Sequence, residues 1–222
     1  MNIYIGDTHG DNAAIMKMVD KYDITDVSLI HVGDYGIGMR LPWEDLEKSS
    51  LLNDFLVDRN IKLYILRGNH DCPLYFEDKE TLKIFLYETH ETKYSDYKIP
   101  NTNQYFKFGF DKSFYAEIAN KYKGDNRRLK NIEFVKDYSL LNINNENVFF
   151  IGGSISIDRH RRNFLTHWEE EKIKTLENFD FLENGTKIDT VVTHNAPSSF
   201  YPPLFSKNEF GKFMRNVIGV SS

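Results

Sequence analysis

Three runs of strand length and β-branched or aromatic character stand near the start of the chain: Asn2-Ile3-Tyr4-Ile5, Val27-Ser28-Leu29-Ile30-His31-Val32 and Ile61-Lys62-Leu63-Tyr64-Ile65-Leu66. A glycine follows each within two residues, as when a strand enters a turn. Between the runs the apolar period lengthens toward 3.6. Asp11 can cap a helix through Lys21 with Ile15, Met18 and Val19 on one face, and Trp43 to Arg59 places Leu46, Leu51, Leu52, Phe55 and Leu56 near a second stripe. Strand, helix, strand, helix, strand with right-handed crossovers predicts a parallel sheet. Further along, Glu77–Leu86 and Ser113–Tyr122 read as short helices, and Ile132–Val135 and Tyr138–Ile143 as strands. The polar run Asn142–Asn147 reads as the turn of a hairpin that returns through Val148–Ile151 into a second sheet.

The strand ends carry the candidate chemistry. Gly6-Asp7-Thr8-His9-Gly10 follows the first run, Gly33-Asp34-Tyr35-Gly36 the second and Gly68-Asn69-His70-Asp71 the third. Gly-Asp pairs mark ordinary turns, so the weight rests on their order, spacing and position after strands. In an open parallel sheet such ends gather at one edge, which would bring together residues distant in sequence. Asp7, His9, Asp34, Asn69 and His70 offer carboxylate oxygens, imidazole nitrogens and an amide oxygen, a set suited to Mn, Fe or Zn rather than to a thiolate-preferring metal. A carboxylate such as Asp34 can bridge two cations. Two metals roughly 3.5–4 Å apart can clamp the attacking and leaving oxygens of a displacement at phosphorus, and can make hydroxide available near neutrality.

Asp7-x-His9, Gly33-Asp34 and Gly68-Asn69-His70-Asp71 resemble, in order, the first three signatures of the calcineurin-like metallophosphoesterase superfamily. The stretch from Gly152 to Arg159, Trp168-Glu169-Glu170-Glu171 and Val191-Val192-Thr193-His194-Asn195-Ala196-Pro197 are similar to segments of its bacterial members. The resemblance implies an α/β fold, a four-layer α/β/β/α sandwich of two packed sheets covered by helices on both sides, in one domain over residues 1–222. It also implies a dinuclear centre, with Asp7 and His9 on the first metal, Asp34 bridging, and Asn69 and His194 on the second. Two Mn²⁺ ions are the expected cofactors, with Fe or Zn as alternatives. His70 would act as general acid toward the leaving oxygen and Asp71 would orient its imidazole. The expected activity is metal-dependent hydrolysis of a phosphoester substrate by activated hydroxide, as a phosphatase or a phosphodiesterase.

Family members normally close with a Gly-His-x-His segment that gives each metal one more histidine. No histidine follows His194 here, so the domain is expected to be incomplete at its C-terminus. That absence favours a second reading, a non-catalytic or truncated binding module of the same fold. A third is a Ser/Thr phosphoprotein phosphatase. Arg67 fits that branch's Leu-Arg-Gly-Asn-His pattern and could grip phosphate in bidentate fashion, although a solvated strand-end arginine is the plainer alternative. Ile37-Gly38-Met39-Arg40, where that branch has Asp-Arg-Gly, argues against it.

Composition narrows the picture. At 222 residues and 41% hydrophobic, the chain can bury one sizeable core. A net charge of -5 offers no basic footprint for extended nucleic acid, so a nucleic-acid or nucleotide substrate has no support from charge. The single cysteine, Cys72, suits a reducing cytoplasm and reads as a semi-buried filler. No apolar run approaches the roughly 20 residues of a membrane span, and neither a signal peptide nor a membrane anchor is expected. His31, inside an apolar strand, reads as a hydrogen-bonded core residue. His90 reads as surface, and His160 and His167 flank the basic cluster Arg159, Arg161 and Arg162. Oligomeric state leaves no signature.

Overall fold

A computed structural model describes residues 1–39, 42–77, 97–98, 105–106, 129–154 and 185–195. The first three strands are β1 (Asn2–Ile5), β2 (Ser28–His31) and β3 (Lys62–Ile65), linked by helices α1 (Asn12–Lys21) and α2 (Pro42–Asp58). The chain then forms the short pair β4 (Tyr97–Lys98) and β5 (Tyr105–Phe106), then β6 (Ile132–Phe134), β7 (Leu140–Ile143), β8 (Glu146–Ile151) and β9 (Thr190–Thr193). The first sheet is parallel throughout in the order β1-β2-β3-β6, as the alternation of strands and helices predicts. The second runs β7-β8-β9, with β7 antiparallel and β9 parallel to β8.

Alternation along the strands builds two apolar cores on opposite faces of the first sheet. Leu29, Leu63 and Ile65 pack with Ile15 and Val19 of α1 and with Leu46, Leu52 and Leu56 of α2. Ile30, Leu66 and Val135 pack with Ile143, Val148, Phe150 and Val192 around the second sheet. The architecture is therefore α/β, with helices against one sheet and a second sheet behind it, and three of the four expected layers lie among the described residues. The helix readings at Glu77–Leu86 and Ser113–Tyr122 fall outside them. Among the described residues no helix is long and apolar enough to cross a membrane.

Local chemistry explains the boundaries. The Asp11 side chain accepts a hydrogen bond from the Ala14 N–H at 3.1 Å and caps α1 as expected. In α2, Leu51 is 63% exposed, contrary to the stripe read from sequence. The buried face instead passes through Asp45, Ser49 and Asn53, which serve as loop anchors: Asp45 accepts the Gly38 N–H at 2.7 Å, Ser49 bonds the Tyr35 hydroxyl at 3.0 Å, and Asn53 accepts the Asn131 N–H at 2.8 Å. The hairpin turn is tighter than the polar run suggests. Only Asn144 and Asn145 form it, at φ 52° and 66°, the double left-handed pair of a two-residue turn that matches strand twist. Tyr138, expected in a strand, has φ 62°, and β7 starts two residues later.

Candidate metal centre

The carboxyl ends of β1, β2, β3 and β9 meet at one edge, and each delivers a polar side chain. Asp7, His9 and Asp34 have φ of 59°, 46° and 55°. This left-handed region is sparsely populated by residues other than glycine and costs of order 1–3 kcal/mol per residue. Backbone bonds between neighbouring loops hold it: Asp7 N–H to Gly33 O at 3.3 Å, His9 N–H to Asp34 O at 2.9 Å, and Gly10 N–H to Tyr35 O.

Asp34 is the centre of the cluster. It is 5% exposed, and its Oδ1 accepts the His70 backbone N–H at 2.9 Å. His194 Nε2 lies 3.4 Å from Oδ1, and His9 Nε2 lies 3.9 Å from Oδ2. Burial would raise the Asp34 pKa, but the hydrogen bond and charge of His194 and the His70 N–H hold it below the ordinary value. For His194, burial would lower the pKa, and the Asp34 carboxylate overrides it and raises it.

Two halves can be distinguished around that carboxylate. On one side His9 Nε2 is 2.7 Å from Asp7 Oδ1, and the His70 ring stands edge-on to His9 with centroids 4.8 Å apart. Ligand atoms of His9, Asp34 and His70 lie within 4.8 Å of one another. On the other side His194 Nε2 is 3.0 Å from Asn69 Oδ1, while His194 Nδ1 is 3.0 Å from the Val32 carbonyl. A carbonyl only accepts, so Nδ1 carries a proton and donates it. The Asp34 and Asn69 oxygens are acceptors too, so without a cation they favour a proton on Nε2 as well, in keeping with the raised pKa. Loss of that proton would leave an Nε2 lone pair for a metal.

Two glycines make room for this packing. A Cβ on Gly68 would collide with Asp34 Oδ1 and the Asp34 backbone nitrogen, and one on Gly33 would collide with the His194 ring. Side chains at either position would fill the space that brings the loops together.

A family model for calcineurin-like phosphoesterases matches residues 3–220. The chain belongs to the calcineurin-like phosphoesterase family. No curated protein matches it. Membership makes the corresponding chemistry metal-dependent phosphoester hydrolysis, and the donor set fits a hard divalent cation. Carboxylate and amide oxygens converge with imidazole nitrogens whose outer ring atom, in His194, is already bonded to a backbone carbonyl.

Two expected roles meet a different geometry. Asp71, expected to orient the His70 imidazole, is fully buried and its carboxylate accepts four backbone N–H groups: Gly36 at 2.6 Å, Gly68 at 2.7 Å, Ile37 at 3.2 Å and Tyr35 at 3.3 Å. Burial, assisted by Asp34, pushes its pKa up to about 6 against the pull of those donors. Asp71 clamps the second strand-end loop to the third. Arg67, expected either at substrate phosphate or in solvent, is 1% exposed, and its Nη2 and Nε lie 2.7 Å and 3.1 Å from Asp137 Oδ2. The guanidinium is thus buried and engaged with Asp137 rather than turned to solvent.

His31 is buried as expected, with Nε2 3.0 Å from Thr8 Oγ1, between the two residues of Asp7-x-His9. Cys72 is fully buried rather than half-buried, against Gly38. His90, His160, His167 and the cluster Arg159, Arg161 and Arg162 lie outside the described residues. Sequence reasoning missed Asp137 and the Val32 carbonyl. Neither has a local signature, because each acts through a partner distant along the chain.

Proposed function

We propose that this chain hydrolyses phosphoesters at a dinuclear site, with Asp7 and His9 holding one ion, Asn69 and His194 the other, and Asp34 shared between them. The observation that carries the reading is the position of the Asp34 carboxylate, one oxygen turned to His9 and the other to His194. When bound, two divalent cations supply Lewis acidity to the phosphate oxygens and a nucleophilic water near neutral pH. Two Mn²⁺ ions are the proposed pair and the cytoplasm the proposed compartment. Asp34 holds the shared position because its carboxylate is fixed by the His70 N–H. His70 donates a proton from its ring to the leaving oxygen. Asp71 keeps the loops bearing Asp34 and His70 in register.

One observation favours a second role for His70. Its ring atom falls within the same cluster as those of His9 and Asp34, which suits a metal ligand. The experiment is hydrolysis of aryl and alkyl phosphomonoesters and phosphodiesters with added Mn²⁺, before and after chelation, in the wild type, Asp34→Asn and His70→Ala. Chelation and Asp34→Asn should abolish turnover. A general acid predicts that His70→Ala costs ~10²–10⁴-fold on alkyl esters and far less on p-nitrophenyl esters, whose leaving group needs no proton. Equal losses on both, with reduced metal content, would make His70 a ligand. Turnover that survives Asp34→Asn would sink the hydrolytic assignment to this site.

A further inference from the structure

The two halves of the centre differ in what holds them. Asp7, His9 and Asp34 stand on adjacent loops of the first sheet, joined directly by backbone bonds. Asn69 and His194 stand on different sheets, since Asn69 follows β3 and His194 follows β9. Their 3.0 Å contact therefore depends on how the two sheets are set against each other at this edge.

Among the described residues, a buried ion pair lies at that junction. Arg67, two residues before Asn69, places Nη2 and Nε on the same oxygen of Asp137, in the link from β6 in the first sheet to β7 in the second. Both side chains are almost wholly buried, at 1% and 5% exposed. The Arg67 carbonyl accepts the Gly153 N–H at 2.8 Å, just beyond β8. A Cβ on Gly152 would collide with Asp137 Oδ1 and crowd Arg67, so the three segments close on one point without slack. Asp137 Oδ1 has no hydrogen-bond partner among the described residues. A buried pair of this kind is weak as a source of net stability and better suited to fixing one arrangement among several.

We propose that Arg67 and Asp137 are positioning residues that set the second sheet against the Gly68-Asn69-His70 loop, and so control the Asn69–His194 half of the metal centre without controlling the Asp7–His9 half. The inference rests on the dinuclear reading above. It separates the two ions by their dependence on an ion pair that touches neither.

The test compares the wild type, Asp137→Asn and the double variant Arg67→Met/Asp137→Leu. Mn²⁺ binding is measured by calorimetry, and amide hydrogen exchange is followed without metal. In Asp137→Asn the weaker-coupled second Mn²⁺ should lose ~10–100-fold in affinity, the range of changes behind a ligand shell, while the first stays within about 2-fold. Exchange at Asn69, His70 and Gly153 should quicken in the metal-free protein. The double variant removes both buried charges, so its melting temperature should return to that of the wild type while the second Mn²⁺ stays weakened. A merely structural pair would give the opposite, with affinity recovering alongside stability, and that outcome overturns the proposal. So does equal weakening of both ions, or no change in either. A wild type that binds fewer than two ions defeats the dinuclear reading instead, and the exchange data then decide the positioning role alone: unchanged exchange rejects it.

Discussion

His31 offers a pH-linked test that needs no metal. It is buried in β2 with Nε2 on Thr8 and with Nδ1 lacking a hydrogen-bond partner among the described residues. Burial lowers its pKa from 6.5 to about 4, against the opposing pull of the Asp34 carboxylate and with smaller contributions from His194 and His9. Between those values the unfolded chain takes up a proton that the folded protein refuses. Stability from this residue is therefore intact above the unfolded value and is lost as pH falls toward the folded one. The full difference amounts to about 3 kcal/mol, and near pH 5 it is about 2 kcal/mol. His31→Gln keeps a polar atom near Thr8 and removes the titration. Urea unfolding of both proteins in chelator, at about pH 8 and about pH 5, isolates the residue, because other carboxylates and histidines titrate in each. The wild type should lose about 2 kcal/mol more than the variant on acidification. Equal losses, or a smaller loss in the wild type, would show that His31 does not remain neutral in the fold.

Gly68→Ala would drive a methyl group into the Asp34 carboxylate and backbone, costing ~1–3 kcal/mol in urea unfolding and most of the metal affinity; full retention of both would mean the loops can separate freely. Asp71→Ala leaves the N–H groups of Tyr35, Gly36, Ile37 and Gly68 without their acceptor. At ~1–3 kcal/mol for each unsatisfied group, less the relief of a buried charge, the net loss should be about 3 kcal/mol or more, and a loss near zero would contradict the clamp. Asn145→Val places a β-branched side chain at φ 66° and should cost ~1–2 kcal/mol in thermal unfolding, whereas Asn145→Gly should be neutral or stabilising.

The parts legible in sequence are those in which one segment carries its own instruction. The runs ending at Gly6, Gly33 and Gly68 declare strand and turn together, and Asp11 declares its helix. His194 could be placed only through the resemblance of the segment from Val191 to Pro197 to members of the family, and in the fold it directly follows β9. What could not be read depends on partners supplied by the fold. Arg67 looks the same whether it faces phosphate, solvent or Asp137, and Asp137 lies 70 positions away. Asp71 sits beside His70 in sequence, which invites a pairing between them, yet its carboxylate turns to amides of the neighbouring loop. In α2 the buried stripe is partly polar, so a search for leucines selects Leu51 and passes over Asp45, Ser49 and Asn53.

Manganese electron paramagnetic resonance can decide whether two ions share Asp34. Metal-free protein titrated with Mn²⁺ should take up two ions per chain, and the second should convert the isolated-ion spectrum into that of an exchange-coupled pair. Asp34→Asn should abolish the coupling. Binding of a single ion, or a coupled spectrum unchanged by Asp34→Asn, would rule out a pair of ions bridged by this carboxylate.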